Sequence, residues 1–264
     1  MTAEATTALP PRRVLYLEMF LVLMVSLGES AVYATLSIVE KLTRNVPLGQ
    51  QTTSINNSAV PDRPWLDLMY QAAYIVLPMA PVALCLYLLA VHLAPAEGPF
   101  RVMGFDLTRP WRDLRSGSVI FVVIGVAGLA FYLGAVAFGL NTQVRPANLA
   151  ENWWTIPVLV LLAIKNAVLE EVLMVGYLFT RWAQTGRAMW MIVVISAVVR
   201  GMYHLYQGWG GFAGNVLMGL IFGWLFLTVL KRRVMPLVVT HSWLDIFSFL
   251  GAPLLPWLMS LIGR

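Results

Sequence analysis

The sequence predicts an all-α fold, a polytopic transmembrane helix bundle, and two observations carry that expectation. Its 264 residues are 59% hydrophobic and only 12% charged, whereas a soluble globular domain carries about a quarter charged residues. The apolar residues also gather into separate runs, most of them near the ~20 residues that cross a bilayer as one helix. The runs are 14–39, 66–93, 118–140, 154–179, 189–205, 212–230, 234–250 and 252–262. They make about eight spans, the last one short. Between them, "NVPLGQQTTSINNSAVPDRPW" and "NTQVRPANLAENW" collect Pro, Asn, Gln and Thr, the composition of exposed loops. With no internal repeat and no soluble appendage, residues 1–264 are expected to form a single membrane domain. Within it, 14–150 supply N-terminal spans, 154–250 a core bearing the chemical motifs, and 252–264 the short C-terminal span.

The charges that remain outside the runs orient the chain. With the N-terminus inside, Arg12, Arg13, Arg101, Arg109, Arg112, Arg115, Arg181, Arg187, Lys231, Arg232, Arg233 and Arg264 share one side, against Lys41, Arg44, Arg63 and Arg145 on the other. This asymmetry predicts a multi-pass cell-membrane protein with both termini cytoplasmic. It also accounts for the net charge of +5 without nucleic acid as a partner. The opening "MTAEATTALPPRR" lacks an apolar core, so no signal cleavage is expected. A sole cysteine, Cys85, rules out an internal disulfide framework and a thiolate metal cluster.

Polar residues inside the spans are the informative ones, because each must find a partner or line a wet cavity. Glu18 and Glu29 lie toward helix ends, where a long acid can reach the interface. Asn215 suits a hydrogen bond between helices. Lys165, Asn166, Glu170, Glu171, Arg200, His204, His241 and Asp245 are harder to dismiss. His241 and Asp245 stand four apart, as do Arg200 and His204, and Asn166 and Glu170, so each pair shares a helix face. Adjacent Glu170 and Glu171 diverge by about 100°, which gives the pair two separate jobs.

Carboxylates and imidazoles converging from several helices suit a hydrolase, with one group to deprotonate water and others to hold the oxyanion. The same set could ligate a divalent metal, zinc by donor type. It also suits a proton or ion relay in a transporter, or a structural polar network. The transporter reading predicts paired broken helices related by a repeat, and none is visible. The Gly210, Gly214 and Gly219, Gly223 spacings read as helix-packing seams.

A Glu-Glu pair, then a helix with a single His, then a helix with His-x-x-x-Asp resembles the CPBP family of CAAX prenyl proteases and bacteriocin-processing enzymes. The likeness spans about Pro157 to Phe249. It implies an intramembrane endopeptidase acting on membrane-anchored or lipidated peptides or proteins, with the bilayer itself as a partner. On that likeness Glu170 and His204 activate water, His241 and Asp245 hold the oxyanion or water, and Glu171 supports them. Arg200, Asn166 and Asn215 are supporting residues. A metal, if used, would be held among Glu171, His204, His241 and Asp245. The family's first motif, EExxxR, has Val175 in place of arginine here, its FxxxH motif has Arg200 in place of phenylalanine, and Asp245 stands where many relatives carry asparagine. Arg200 is therefore expected to replace the missing cation from the next helix. With that cation absent from its usual place, a catalytically inactive scaffold is the other alternative.

Overall fold

In the computed structural model of the chain, residues 9–92, 98–145 and 147–251 are described. The predicted span at 252–262 and Arg264 lie outside these residues. The described residues are mostly helical, and the helices fall where the apolar runs are.

The first span is α1 (Arg12–Leu23) and α2 (Glu29–Thr43), joined through a wide π turn at Met24–Gly28. Ser26 breaks the helix there, at φ −135° and ψ −106°, and its hydroxyl donates back to the Val22 carbonyl at 2.6 Å. Next come α3 (Pro64–Val76) and α4 (Ala80–Val91), separated by a single 3-10 turn, Leu77–Met79. Pro78 and Pro81, which lack an amide proton, interrupt the hydrogen-bond ladder at that place. A short α5 (Pro99–Val102) leads into α6 (Pro110–Ala137).

The motif-bearing core follows. α7 (Thr155–Glu171) runs through a second π turn, Val172–Tyr177, into α8 (Leu178–Gln184). α9 (Met189–Tyr203) ends in a 3-10 turn, Leu205–Gln207. α10 (Trp209–Thr228) and α11 (Met235–Gly251) complete the bundle. The segments α1–α2, α3–α4, α6 and α10 are long and apolar enough to cross a membrane, while α9 is apolar but shorter. α6 is the least enclosed of the four: only 6% of its apolar window is buried, which leaves Val119, Val122, Val123 and Val126 on the bundle's apolar exterior.

The core centres on the second π turn, whose six residues Val172–Tyr177 are all buried. Met103, Phe222, Phe226 and Leu237 pack in the same cluster. α9 and α10 meet closely because glycines line the seam. A Cβ on Gly219 would stand 2.7 Å from the Cα of Ala197, and one on Gly201 would stand 2.5 Å from Val216. The expected packing role of Gly219 and Gly223 is visible here.

The polar segments predicted as exposed loops are more ordered than expected. β1 (Thr52–Ser54) pairs in parallel with β2 (Gln143–Arg145), and Asn57 bridges to Asn148. These segments form a cap over one end of the bundle. Their turn-rich composition could not reveal that two loops about 90 residues apart in sequence supply each other's backbone partners. At the opposite, basic end, Arg233 is ion-paired with Asp106 at 3.1 Å and Asp113 at 2.5 Å. Asp106 resists protonation: its partial burial pulls the other way, but Thr108 and the Arg233 guanidinium hold its carboxyl down at about 2.

Candidate active site

The acids and imidazoles named from sequence come from three elements, the end of α7, the end of α9 and the middle of α11. Counting from the basic end at 1.5 Å per residue, Glu170 lies about 21 Å from Gln184 and His204 about 22 Å from Met189. α11 starts higher. Gly117, seven residues into α6 (110 to 117), leaves no room for a Cβ against the Pro236 carbonyl, 2.6 Å away. His241, five residues beyond Pro236, therefore lies about 18 Å from that end, close to the same depth. The short α9 and the raised start of α11 bring the residues to one level.

Glu171 is fully buried and Glu170 is 8% exposed. The Arg200 guanidinium, itself fully buried, bridges them. One terminal nitrogen stands 2.8 and 2.9 Å from the Glu171 oxygens, and the other donates to Glu170 Oε2 at 3.4 Å. Its flat face also lies against Phe222, 5.5 Å from the ring centre. Val175, at the position of the missing motif arginine, is buried and apolar. The cation that serves both carboxylates comes from α9.

The two glutamates then part company. Glu171 Oε1 meets His241 Nδ1 at 2.7 Å, sealed behind the cavity wall. Glu170 lines the cavity, and its Oε2 also accepts from Tyr203 Oη at 2.7 Å and faces His204 Nε2 at 3.8 Å. His204 Nε2 is buried and has no hydrogen-bond partner among the described residues. Its Nδ1 lies 3.5 Å from the Gln207 amide nitrogen. His241 Nε2 faces Asp245 Oδ1 at 3.7 Å, and Asp245 Oδ2 accepts from Asn166 Nδ2 at 3.1 Å. Lys165 in turn donates to Asn166 Oδ1 at 2.5 Å. Asn215 lines the same cavity but spends its amide on the Gly211 carbonyl of its own helix, at 2.9 Å.

Tyr203 is the member that sequence reasoning missed. Its signal was available: it directly precedes His204, where the last turn of α9 faces α7. The cavity measures about 1890 Å³. It is bounded by Glu170, His204, His241 and Asp245 at one side and by Val122, Val123 and Val126 of α6 at the other. Because those valines are 57–70% exposed, the cavity reaches the apolar exterior of the bundle.

One oxygen each from Glu170 and Glu171 and one nitrogen of His241 lie within 4.8 Å of one another. That compact group could hold a single metal ion, and its donors are of a type divalent ions accept. His204 and Asp245, part of the ligand set expected from sequence, stand at its edge.

A second polar centre lies nearer the basic end. Glu18 does not reach out to the interface: it is held by Tyr177 Oη at 2.5 Å and by Arg181 Nε at 2.7 Å. Arg181, counted above with the loop charges, is fully buried and also donates to Gln184 and to the Leu88 carbonyl. Helix α8 continues past the expected end at Phe179, so this arginine points inward onto α1 and α4.

A membrane helix bundle with acids and imidazoles at one depth around a cavity has the groups that hydrolysis within the membrane requires. Residues 152–247 match the family model described as Type II CAAX prenyl endopeptidase Rce1-like. The match covers 96 of the 264 residues, the part that carries the Glu-Glu and histidine motifs, and there it supports the likeness to the CAAX protease (CPBP) family. No curated protein and no solved structure matches the chain.

Proposed function

We propose that the protein is an intramembrane endopeptidase that hydrolyses peptide bonds of membrane-anchored or lipidated substrates, with Glu170 and His204 activating the attacking water. One observation carries this: Glu170 faces the cavity with Arg200 and Tyr203 donating to its Oε2, and the unpaired Nε2 of His204 stands 3.8 Å from that oxygen. Among the described residues no hydrogen bond falls on Oε1. Loading one oxygen with donors fixes the carboxylate and reserves the other for a proton.

A water bonded to His204 Nε2 and to Glu170 would satisfy the unpaired ring nitrogen while standing beside the base. Glu170 takes its proton as the oxygen attacks the scissile carbonyl. Across the site, His241 donates Nδ1–H to Glu171, and a second proton on Nε2 makes the ring a cationic donor for the oxyanion. Asp245, held by Asn166, orients that ring from its other side. The proton on Glu170 passes to the departing amine, which returns the carboxylate to its starting state. A divalent ion, zinc by donor type, would instead be held by Glu170, Glu171 and a neutral His241, and would supply Lewis-acid polarisation of the carbonyl in place of the imidazolium.

The cavity's opening toward the valine face of α6 supports substrates that are themselves partly in the bilayer. The clustering of basic loop residues at the Arg233 end supports a cytoplasmic location for that end. The test is purified protein in proteoliposomes with a pool of membrane-anchored peptides, lipidated and unlipidated, read by mass spectrometry. Cleavage by the wild type that Glu170→Ala and His204→Ala both abolish is expected. Cleavage that survives both substitutions, or no cleavage at all, refutes the proposal. Metal analysis and chelation of the same preparation decide the cofactor.

A further inference from the structure

The turn that carries His204 is held only in part by its own helix, through the His204 amide on the Gly201 carbonyl at 3.0 Å. Past the end of α9 the chain runs through His204 and Leu205–Gln207 to Gly208, where φ is +117°. The last carbonyls of a helical segment lack partners within it, and those that close this 3-10 turn, of Tyr206 and Gln207, are taken up by α2 and the cap. Lys41, at the end of α2, is only 7% exposed. Its ammonium donates to the Tyr206 carbonyl at 2.5 Å and to Ser37 Oγ at 3.2 Å. Thr142 donates twice to the Gln207 carbonyl, from its amide at 2.8 Å and its hydroxyl at 3.0 Å. Thr53 of β1 closes the set, 2.7 Å from the Thr142 hydroxyl.

Burying an ammonium away from water is costly unless it is well partnered, and a lysine serving only topology would lie in the loop. A cation at a helix C-terminus also complements the helix dipole. We infer that Lys41 is a positioning residue for the reaction: from the cap it sets the turn that fixes the His204 ring opposite Glu170. This rests on the function proposed above. It assigns a task to a residue that spacing and charge alone place among the loop cations.

The test compares Lys41→Met, Lys41→Arg and Thr142→Val with the wild type in the same proteoliposomes, using the membrane-anchored peptide best cleaved by the wild type. Misplacing a catalytic group by about 1 Å can lower a rate about 10²-fold. Lys41→Met is expected to lower kcat by about that factor with KM little changed, and Lys41→Arg to restore much of it. Thr142→Val should move kcat the same way and decides the matter if Lys41→Met does not fold. An independent readout comes from protein labelled with ¹⁵N-histidine, with the ring signals assigned by His204→Gln. The His204 ring signals should shift in Lys41→Met and in Thr142→Val. Unchanged His204 signals in the folded variants, or shifted signals with unchanged kcat, overturn the inference. If the wild type itself cleaves nothing, the proposed function fails, and the ring signals alone decide whether Lys41 positions His204.

Discussion

Replacing Arg200 tests the centre of the site most directly. Its guanidinium lies 2.8–2.9 Å from Glu171 and 3.4 Å from Glu170, with no exposure of its own. Arg200→Phe leaves two neighbouring buried carboxylates without their shared cation. Breaking a buried ion pair from one side costs about 3–5 kcal/mol, and the lost contact with Phe222 adds up to about 2 kcal/mol. Against a total stability of about 5–15 kcal/mol, the loss is a large fraction of the whole. Glu170 would also be freed on one side, with about a 10²-fold loss of peptidase rate for a displacement near 1 Å. Val175 lies four residues after Glu171, so an arginine there reaches back over one turn. Val175→Arg combined with Arg200→Phe should therefore regain stability and cleavage that Arg200→Phe alone loses. The assay is equilibrium unfolding in mixed detergent, followed by peptide cleavage in proteoliposomes. An Arg200→Phe protein as stable and active as the wild type refutes the reasoning. So does a double variant no better than the single one.

Glu170→Gln keeps an acceptor for Tyr203 but cannot take a proton, so the rate should fall about 10²–10⁴-fold, while Glu171 stays on Arg200 and the loss of stability should be smaller than in Arg200→Phe. Glu18→Leu strands the buried Arg181 charge and should destabilise by about 3–5 kcal/mol, measured by the same unfolding equilibrium. Gly219→Val forces α10 away from Ala197 and should cost about 1–3 kcal/mol, seen as a lower melting temperature. Asp106 is held at about 2, below the ~3.9 of an unfolded aspartate. Its contribution is therefore present above about pH 4 and lost as pH falls toward 2. Arg233→Met should flatten that acid-side loss in a pH titration of unfolding.

The fold was largely legible because hydropathy dictates membrane spans and little else competes with it. The motif residues were legible for a related reason: an acid or imidazole in an apolar run stands out. Arg200 could be matched to the glutamates because Val175 left a charge unaccounted for. Depth along the chain could not be read correctly. The run ending at Phe179 hid the extension of the helix to Gln184, and nothing local marks α11 as starting above α6. Glu18 and Arg181 were each plausible at an interface, and only the packing of α1 against α8 joins them. The cap escaped for the reason that long-range pairing usually does: the partners of Thr52–Ser54 lie some 90 residues away, and no local pattern names them.

The wide turn at Val172–Tyr177 lets one rod face two ways. An extra residue in a helical turn rotates everything beyond it by about 100° relative to an unbroken α-helix. Glu170 and Glu171 thereby look toward α9 and α11, while Tyr177 and Arg181 look toward α1 and α4. Excising a single amino acid between the two groups would straighten the rod and swing the lower arginine out of register with Glu18, so the length of this stretch is as much constrained as its composition.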